Sequence, residues 1–145
     1  MDGRDFLTLA QQLASATTEA AWRSAISRAY YAAFHVAKHL LEDLRFAVPR
    51  ADLAHAYIWM RLCNCGDPQV ESAGMRLNDL RRERNWADYD LMRPMRQGVI
   101  QQRLPIAVSI IQVFETAAVE PTRTAITDAM KIYERDVLHD VTWHP

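Results

Sequence analysis

An apolar stripe of helical period runs almost unbroken through the second quarter of the chain and governs what it can fold into. Trp22, Ile26, Ala29, Tyr30, Ala33, Ala37, Leu41 and Leu44 recur every three or four residues, so they share one face of a long helix. A face that long needs other apolar helices laid along it. The rest of the chain supplies them. Residues from Asp5 to about Ala16 carry Phe6, Leu9 and Leu13 on one side. Thr17-Thr18-Glu19 opens the long helix, with a threonine hydroxyl as its cap, and the stripe ends near Leu44. A third helix from Asp52 to about Leu62 presents Leu53, Tyr57 and Met60. Gly66-Asp67-Pro68 reads as helix stop, N-cap and first-turn proline, and starts a fourth helix reaching about Asp88. Leu91 to Gly98 is a loop. A fifth helix, closing near Ala118, carries Ile100, Leu104, Ala107, Ile111 and Phe114; Pro105 either kinks it or sets its start near Arg103. From Pro121 a last helix puts Ile126, Met130, Tyr133 and Val137 on one face, and His139 to Pro145 is expected to be a mobile tail.

No window alternates as a strand would, and only 4 Gly and 6 Pro interrupt 145 residues. The expectation is all-α: one domain over residues 1–145, an up-and-down helical bundle of five to six helices. The net charge of −1 excludes a protein that coats nucleic acid by bulk charge, but leaves room for a local basic site. Of the 17 basic residues only Lys38 and Lys131 are lysines, and arginine suits bidentate phosphate contacts. No apolar run approaches the roughly 18 residues of a membrane span. Met1-Asp2-Gly3-Arg4-Asp5 has no apolar signal core, so a cytoplasmic location and no membrane partner are expected. Cys63 and Cys65 form a lone Cys-x-Cys with only His55 nearby, which leaves at most three metal ligands, so they read as reduced thiols in a loop. No glycine loop, Gly-x-Ser-x-Gly elbow, His-Glu-x-x-His or paired Glu-x-x-His occurs, and neither cofactor nor metal is expected.

One charge breaks the pattern. Val70, Ala73, Leu77, Leu80, Arg84 and Ala87 make one face of the fourth helix, with an arginine where a hydrophobe belongs. A buried guanidinium is costly unless it meets an anion or hydrogen-bond acceptors. Two readings follow: a structural pair with Asp88, four residues on, or a ligand site. The long helix has a second regular side, Ser24, Arg28, Tyr31, His35, Lys38 and Glu42. Either it is a solvated face with a Lys38–Glu42 pair, or Arg28, Tyr31 and His35 line one cleft with the Arg84 helix. In the second case His35 is the histidine placed for proton transfer. Trp86, beside Asn85, is either a packing residue or a stacking platform for a base.

Two stretches carry a family resemblance. Ser27-Arg28-Ala29-Tyr30-Tyr31-Ala32-Ala33-Phe34-His35 resembles the core helix of HEPN-domain proteins. Leu80-Arg81-Arg82-Glu83-Arg84-Asn85-Trp86-Ala87-Asp88-Tyr89-Asp90 resembles the "LRxxRNxADYD" helix of one HEPN subgroup. The resemblance spans about residues 5–118, leaving 119–138 as an added C-terminal helix and 139–145 as the tail. It implies a helical bundle that dimerises, with two motif helices at a shared cleft. Many members are metal-independent endoribonucleases, often toxins encoded beside a nucleotidyltransferase-like antitoxin. Their signature is an arginine followed, after four to six residues, by a histidine, often with a polar residue directly after the arginine. Arg84 and Asn85 match, but Tyr89 stands where the histidine is expected, and none follows until His139. The resemblance therefore points to Arg84, Asn85 and Tyr89 as the catalytic set, with His35 as a substitute base. Arg81, Arg28, Tyr31 and Asp88 are the candidates to bind nucleic acid or another ligand around them.

Two functions stand open at this point. One is an RNA-directed domain, either an RNA binder or a variant metal-independent endoribonuclease, as the toxin of a toxin–antitoxin pair. The other is a non-catalytic interaction or nucleotide-binding module acting with a partner such as a nucleotidyltransferase. Trp59, Trp86, Met92 and Met95 lie off the stripes, which predicts exposed apolar surface and a homodimer that brings two Arg84 side chains near one axis.

Overall fold

The computed structural model describes residues 1–145. It is an all-α bundle of six helices: α1 Asp5–Ala14, α2 Glu19–Asp43, α3 Leu53–Leu62, α4 Pro68–Tyr89, α5 Gln97–Ala117 and α6 Thr122–Tyr133. A single π-type turn, Glu134–Leu138, continues from α6. Two of the starts follow the sequence signals. Thr18 Oγ1 accepts from the Ala21 amide at 3.2 Å, and Asp67 Oδ1 accepts from the Gln69 and Val70 amides, each at 3.0 Å. Gly66, at φ +80°, makes the left-handed turn that separates α3 from α4.

The central element is α2, about 37 Å long at 1.5 Å per residue, and it packs on α1, α3, α4 and α5. Ile26, Ala29, Tyr30, Ala33, Ala37 and Leu41 are all buried along it. The alanines let neighbouring helices come close, and the larger side chains fill between them. A smaller cluster of Ala14, Ala25, Ile26, Ala87, Met95 and Ile100 ties the α4–α5 turn to α1 and α2. No single helix is long and apolar enough to cross a membrane.

Several expectations are corrected. The buried face of α3 is Ala54, His55, Ile58, Arg61 and Leu62 together with Tyr57, while Leu53 is 73% exposed. Pro105 does not set the start of α5, which begins at Gln97; the proline is inside the helix and exposed. Met95 is buried, not surface, although Met92 is exposed; Trp59 and Trp86 are half-buried. Val137 is exposed, and Glu134, wholly buried, takes the place next to Met130 in the core-facing row.

The tail is not loose. Glu134 accepts from Arg61 Nε at 2.8 Å, from the amides of Thr142 and Trp143 at 2.9 and 3.0 Å, and from the Thr142 hydroxyl. Trp143 Nε1 donates to the Leu44 carbonyl at 2.9 Å, and Lys131 Nζ sits 3.7 Å from its ring centre. A buried carboxylate needs several donors, and the folded-back tail provides three of them.

Candidate functional site

The seam between α2 and α4 receives Arg84, as the interrupted stripe implies. Its side chain is 12% exposed. The guanidinium carbon lies 5.7 Å from the Tyr30 ring centre and 5.4 Å from that of Tyr31. The pairing with Asp88 is loose: Arg84 Nη1 and Asp88 Oδ2 are 3.7 Å apart, beyond hydrogen-bond distance. Asp88 instead accepts from Ser27 Oγ at 3.3 Å, and Ser27 Oγ accepts from Arg28 Nη2 at 3.2 Å. Nε of Arg84 and Nε of Arg81 are buried with no acceptor in the chain. A buried donor left unpaired costs about 1–3 kcal/mol, so the Arg84–Asp88 pair does not account for why these arginines sit here.

A third element completes the group. On α3, His55 is 9% exposed and its Nδ1 shares a hydrogen bond of 2.5 Å with the Tyr30 hydroxyl. The two rings are stacked at 5.6 Å, and Phe34 is 4.7 Å away on centroids. Burial, then the charges of Arg81 and Arg84, push His55 below its ordinary value of 6.5. The imidazole is therefore neutral at pH 7. Burial raises the Tyr30 phenol despite the same two arginines, so it too is neutral. Two guanidiniums, a neutral imidazole and a neutral phenol thus share one seam.

The structure brings together Arg84, Arg81, Tyr31, Arg28 and Asp88 from the sequence expectations. Arg28 is held between two rings, 5.1 Å from the centres of both Phe6 and Tyr31. Asn85 is half-buried at the adjacent position on α4. Tyr89 is not part of the group: it is 78% exposed at the end of α4. Nor does His35 join it. That ring stacks on Phe6 at 5.7 Å and lines a separate cavity of about 360 Å³ with Gly3, Lys38, His39 and Glu42. Burial and the charge of Lys38 hold it below 6.5. Its ring lies 6.3 Å from that of Tyr31, one turn away on the same face of α2, but no hydrogen bond joins it to Arg81, Arg84 or His55.

Two positions at or beside this seam escape the sequence reading. His55 figures there only as a neighbour of the cysteines, because the α3 face is set on Leu53, Tyr57 and Met60. The signal that finds it is its place in the Ala54–Ile58–Leu62 row. Arg23, 8% exposed, reaches from α2 to the end of α4. Its Nη1 donates to the carbonyls of Ala87 at 2.9 Å and Asp90 at 3.1 Å, and its Nη2 to that of Arg93. The Ala87 carbonyl, in the last turn of α4, has no helical partner, and the Asp90 and Arg93 carbonyls belong to the turn that follows, so Arg23 ties the end of the Arg84 helix to that turn.

The cysteines stand apart from this chemistry. Burial pushes both the Cys63 and Cys65 thiols up to about 11, and no three His, Cys, Asp or Glu side chains converge as metal ligands. The main cavities are lined by other residues, so the arginine–histidine group forms a seam, not a deep pocket. Compared with protein-family models, with curated proteins and with solved structures, the chain matches none.

Proposed function

We propose that this chain is a HEPN-like, RNA-directed domain that holds a phosphodiester with Arg81 and Arg84 and cleaves it slowly without a metal ion, using His55 as base. One observation carries the reading: two half-buried arginines, each with a buried and unpaired Nε–H group, lie close enough to His55 that their charges, with burial, hold it below its ordinary value. Phosphodiester cleavage by the neighbouring 2′-hydroxyl needs a base for its proton and cations on the non-bridging oxygens. His55 takes the 2′ proton on Nε2, the 2′-oxygen bonds to phosphorus, and the 5′-oxygen leaves. The Tyr30 hydroxyl, at Nδ1, orients the ring and accepts a hydrogen bond from the imidazolium that forms. Arg84 and Arg81 neutralise the charge gathering on the phosphoryl oxygens. No side chain of the seam is an evident acid for the departing oxygen, which takes its proton from water; hence the modest rate.

The reading includes a homodimer. Tyr89, Leu91 and Met92 are 78, 74 and 93% exposed at the end of α4, an apolar patch beside the site that a second copy would cover. A monomer in light scattering at tens of micromolar refutes that part. A nucleotidyltransferase-like partner encoded nearby, as in toxin–antitoxin pairs, is also part of this reading. The alternative, a non-catalytic binding module using the same arginines, is favoured by the 9% exposure of His55.

The test is a mixed RNA pool incubated in excess EDTA with wild type, His55→Gln and Arg84→Ala, each checked for helicity by circular dichroism. Cleavage by wild type, lost in both folded variants, is the expected result. RNA binding without cleavage selects the binding module. Neither binding nor cleavage overturns the RNA-directed role.

A further inference from the structure

We infer that a single strand of RNA leaves the Arg84–His55 seam and passes around the exposed side of α4 to a second contact, at Trp86 and Arg93. This rests on the RNA-directed reading above. The path follows from helix geometry. With Arg84 taken as zero and 100° per residue, Asp88, Arg81, Asn85, Arg82 and Trp86 follow at roughly 40°, 60°, 100°, 160° and 200°. All five are half-buried or exposed. Beyond Asp88, whose carboxylate accepts from Ser27, they form a band of cation, amide, cation and indole around the surface of a single helix. Half the circumference of a helix about 11 Å across is roughly 17 Å, a path that a few nucleotides cover.

The far end of the band is built for a nucleotide. The guanidinium carbon of Arg93 lies 4.0 Å over the Trp86 ring centre. Arg93 makes no ion pair, and only its backbone is engaged: its carbonyl accepts from Arg23 and its amide donates to the Asp90 carbonyl at 3.3 Å. Stacking therefore holds the guanidinium while its N–H fork stays free for a phosphate and its outer face for a base. Arg23 also approaches Trp86, at 5.7 Å from the ring centre, which limits how the indole can turn. A neighbouring cavity of about 480 Å³ has Arg82, Trp86, Arg93 and Arg103 in its lining, together with Asp79 and Glu83. Of the two carboxylates at this cavity, Glu83 is closed on Arg103 at 2.6 Å, while Asp79 is exposed and only loosely paired with Arg82 at 3.7 Å, so one carboxylate there opposes a phosphate.

The experiment compares two ligands by fluorescence anisotropy and cleavage: a dinucleotide that reaches only the seam, and a single-stranded RNA of about ten nucleotides that reaches both ends. Arg93→Ala is the main variant, since the residue is exposed and folding should survive it. It should weaken the longer strand roughly tenfold, the loss of one stacking and phosphate contact, and leave the dinucleotide unchanged. The dependence of log K on log salt should fall by about 0.7 for the longer strand. Arg93→Lys, keeping charge but not the planar stack, should fall between. Unchanged affinity of Arg93→Ala for the longer strand overturns the second contact. If the wild type binds neither ligand, the RNA-directed reading itself fails. If Arg84→Ala abolishes dinucleotide binding while Arg93→Ala affects neither length, the seam stands and the band does not.

Discussion

Replacing Arg23 with methionine should be among the most damaging single changes in the chain, though no sequence pattern marks it. The methionine keeps much of the buried stem and removes only the guanidinium. What is lost can be counted. Nη1 serves the Ala87 and Asp90 carbonyls at 2.9 and 3.1 Å, and Nη2 serves that of Arg93. Hydrogen bonds from a charged donor contribute about 1.5–3 kcal/mol each when no water can replace them. Ala87 is buried, so its carbonyl loses the full amount. Asp90 and Arg93 lie in an exposed turn, and water makes good most of their loss. The pairing with Glu19 is exposed and is given no weight. The expected loss is about 3 kcal/mol, or a fall in Tm of roughly 6–12 °C for a chain of this size. Urea denaturation followed by circular dichroism measures it, with an unchanged m value showing that the unfolded state is the same. Amide exchange should accelerate first in Ala87 to Met95, before the rest of the bundle. Arg23→Lys should recover less than half, because an ammonium cannot serve three divergent carbonyls. A loss under about 1 kcal/mol, or exchange that accelerates uniformly, refutes the assignment of Arg23 as the tie at the end of α4.

Glu134→Ala should cost roughly 3–5 kcal/mol, since it leaves the Arg61 guanidinium, 4% exposed, without its anion; a loss near zero would show that the tail does not depend on it. Burial pushes the Glu134 carboxyl up, but hydrogen bonds from Thr142, Arg61 and Trp143 bring it below 4.5. A carboxyl lowered in the folded state adds stability that is present above pH 4.5 and lost as pH falls through the folded value. The urea midpoint should therefore drop on acidification, and Glu134→Gln should flatten that dependence. His55, lowered by burial and by Arg81 and Arg84, adds stability present above pH 6.5 and lost below it. Its ring should titrate by NMR below 6.5, with any cleavage falling on the same acid limb; titration above 6.5 refutes the neutral base. Arg84→Ala should cost little stability, on the order of 1 kcal/mol, because Asp88 keeps Ser27 and is 30% exposed; a loss above 3 kcal/mol would restore the structural pair. Cys63 and Cys65, with thiols pushed up to about 11, should resist alkylation at pH 7 until the chain is unfolded.

What the sequence makes legible follows from where the partners lie. The stripes of α2 and α4 are long, so their period is unambiguous, and a single arginine inside the α4 stripe is conspicuous for the same reason. The ten residues of α3 offer two rows of comparable spacing, Leu53–Tyr57–Met60 and Ala54–Ile58–Leu62. Only the neighbours decide between them, and choosing the first hides His55. Arg23 is invisible for a different reason: its acceptors are backbone carbonyls more than sixty positions away, and every residue type carries a carbonyl. The tail, too, has no period of its own; it is fixed because one buried glutamate demands donors. The same logic bears on the histidine that the proposed HEPN-like reading leaves unmatched. Base and cation chemistry requires an imidazole and a guanidinium within reach of one phosphate, not a fixed number of residues between them. A short spacing on one helix is one way to meet that requirement. Packing α3 against α4, so that His55 and Tyr30 face Arg81 and Arg84, is another. In the proposed reading the motif is therefore incomplete along the chain and complete in space, and His55→Gln, not a change at Tyr89 or His35, is the substitution that should silence it.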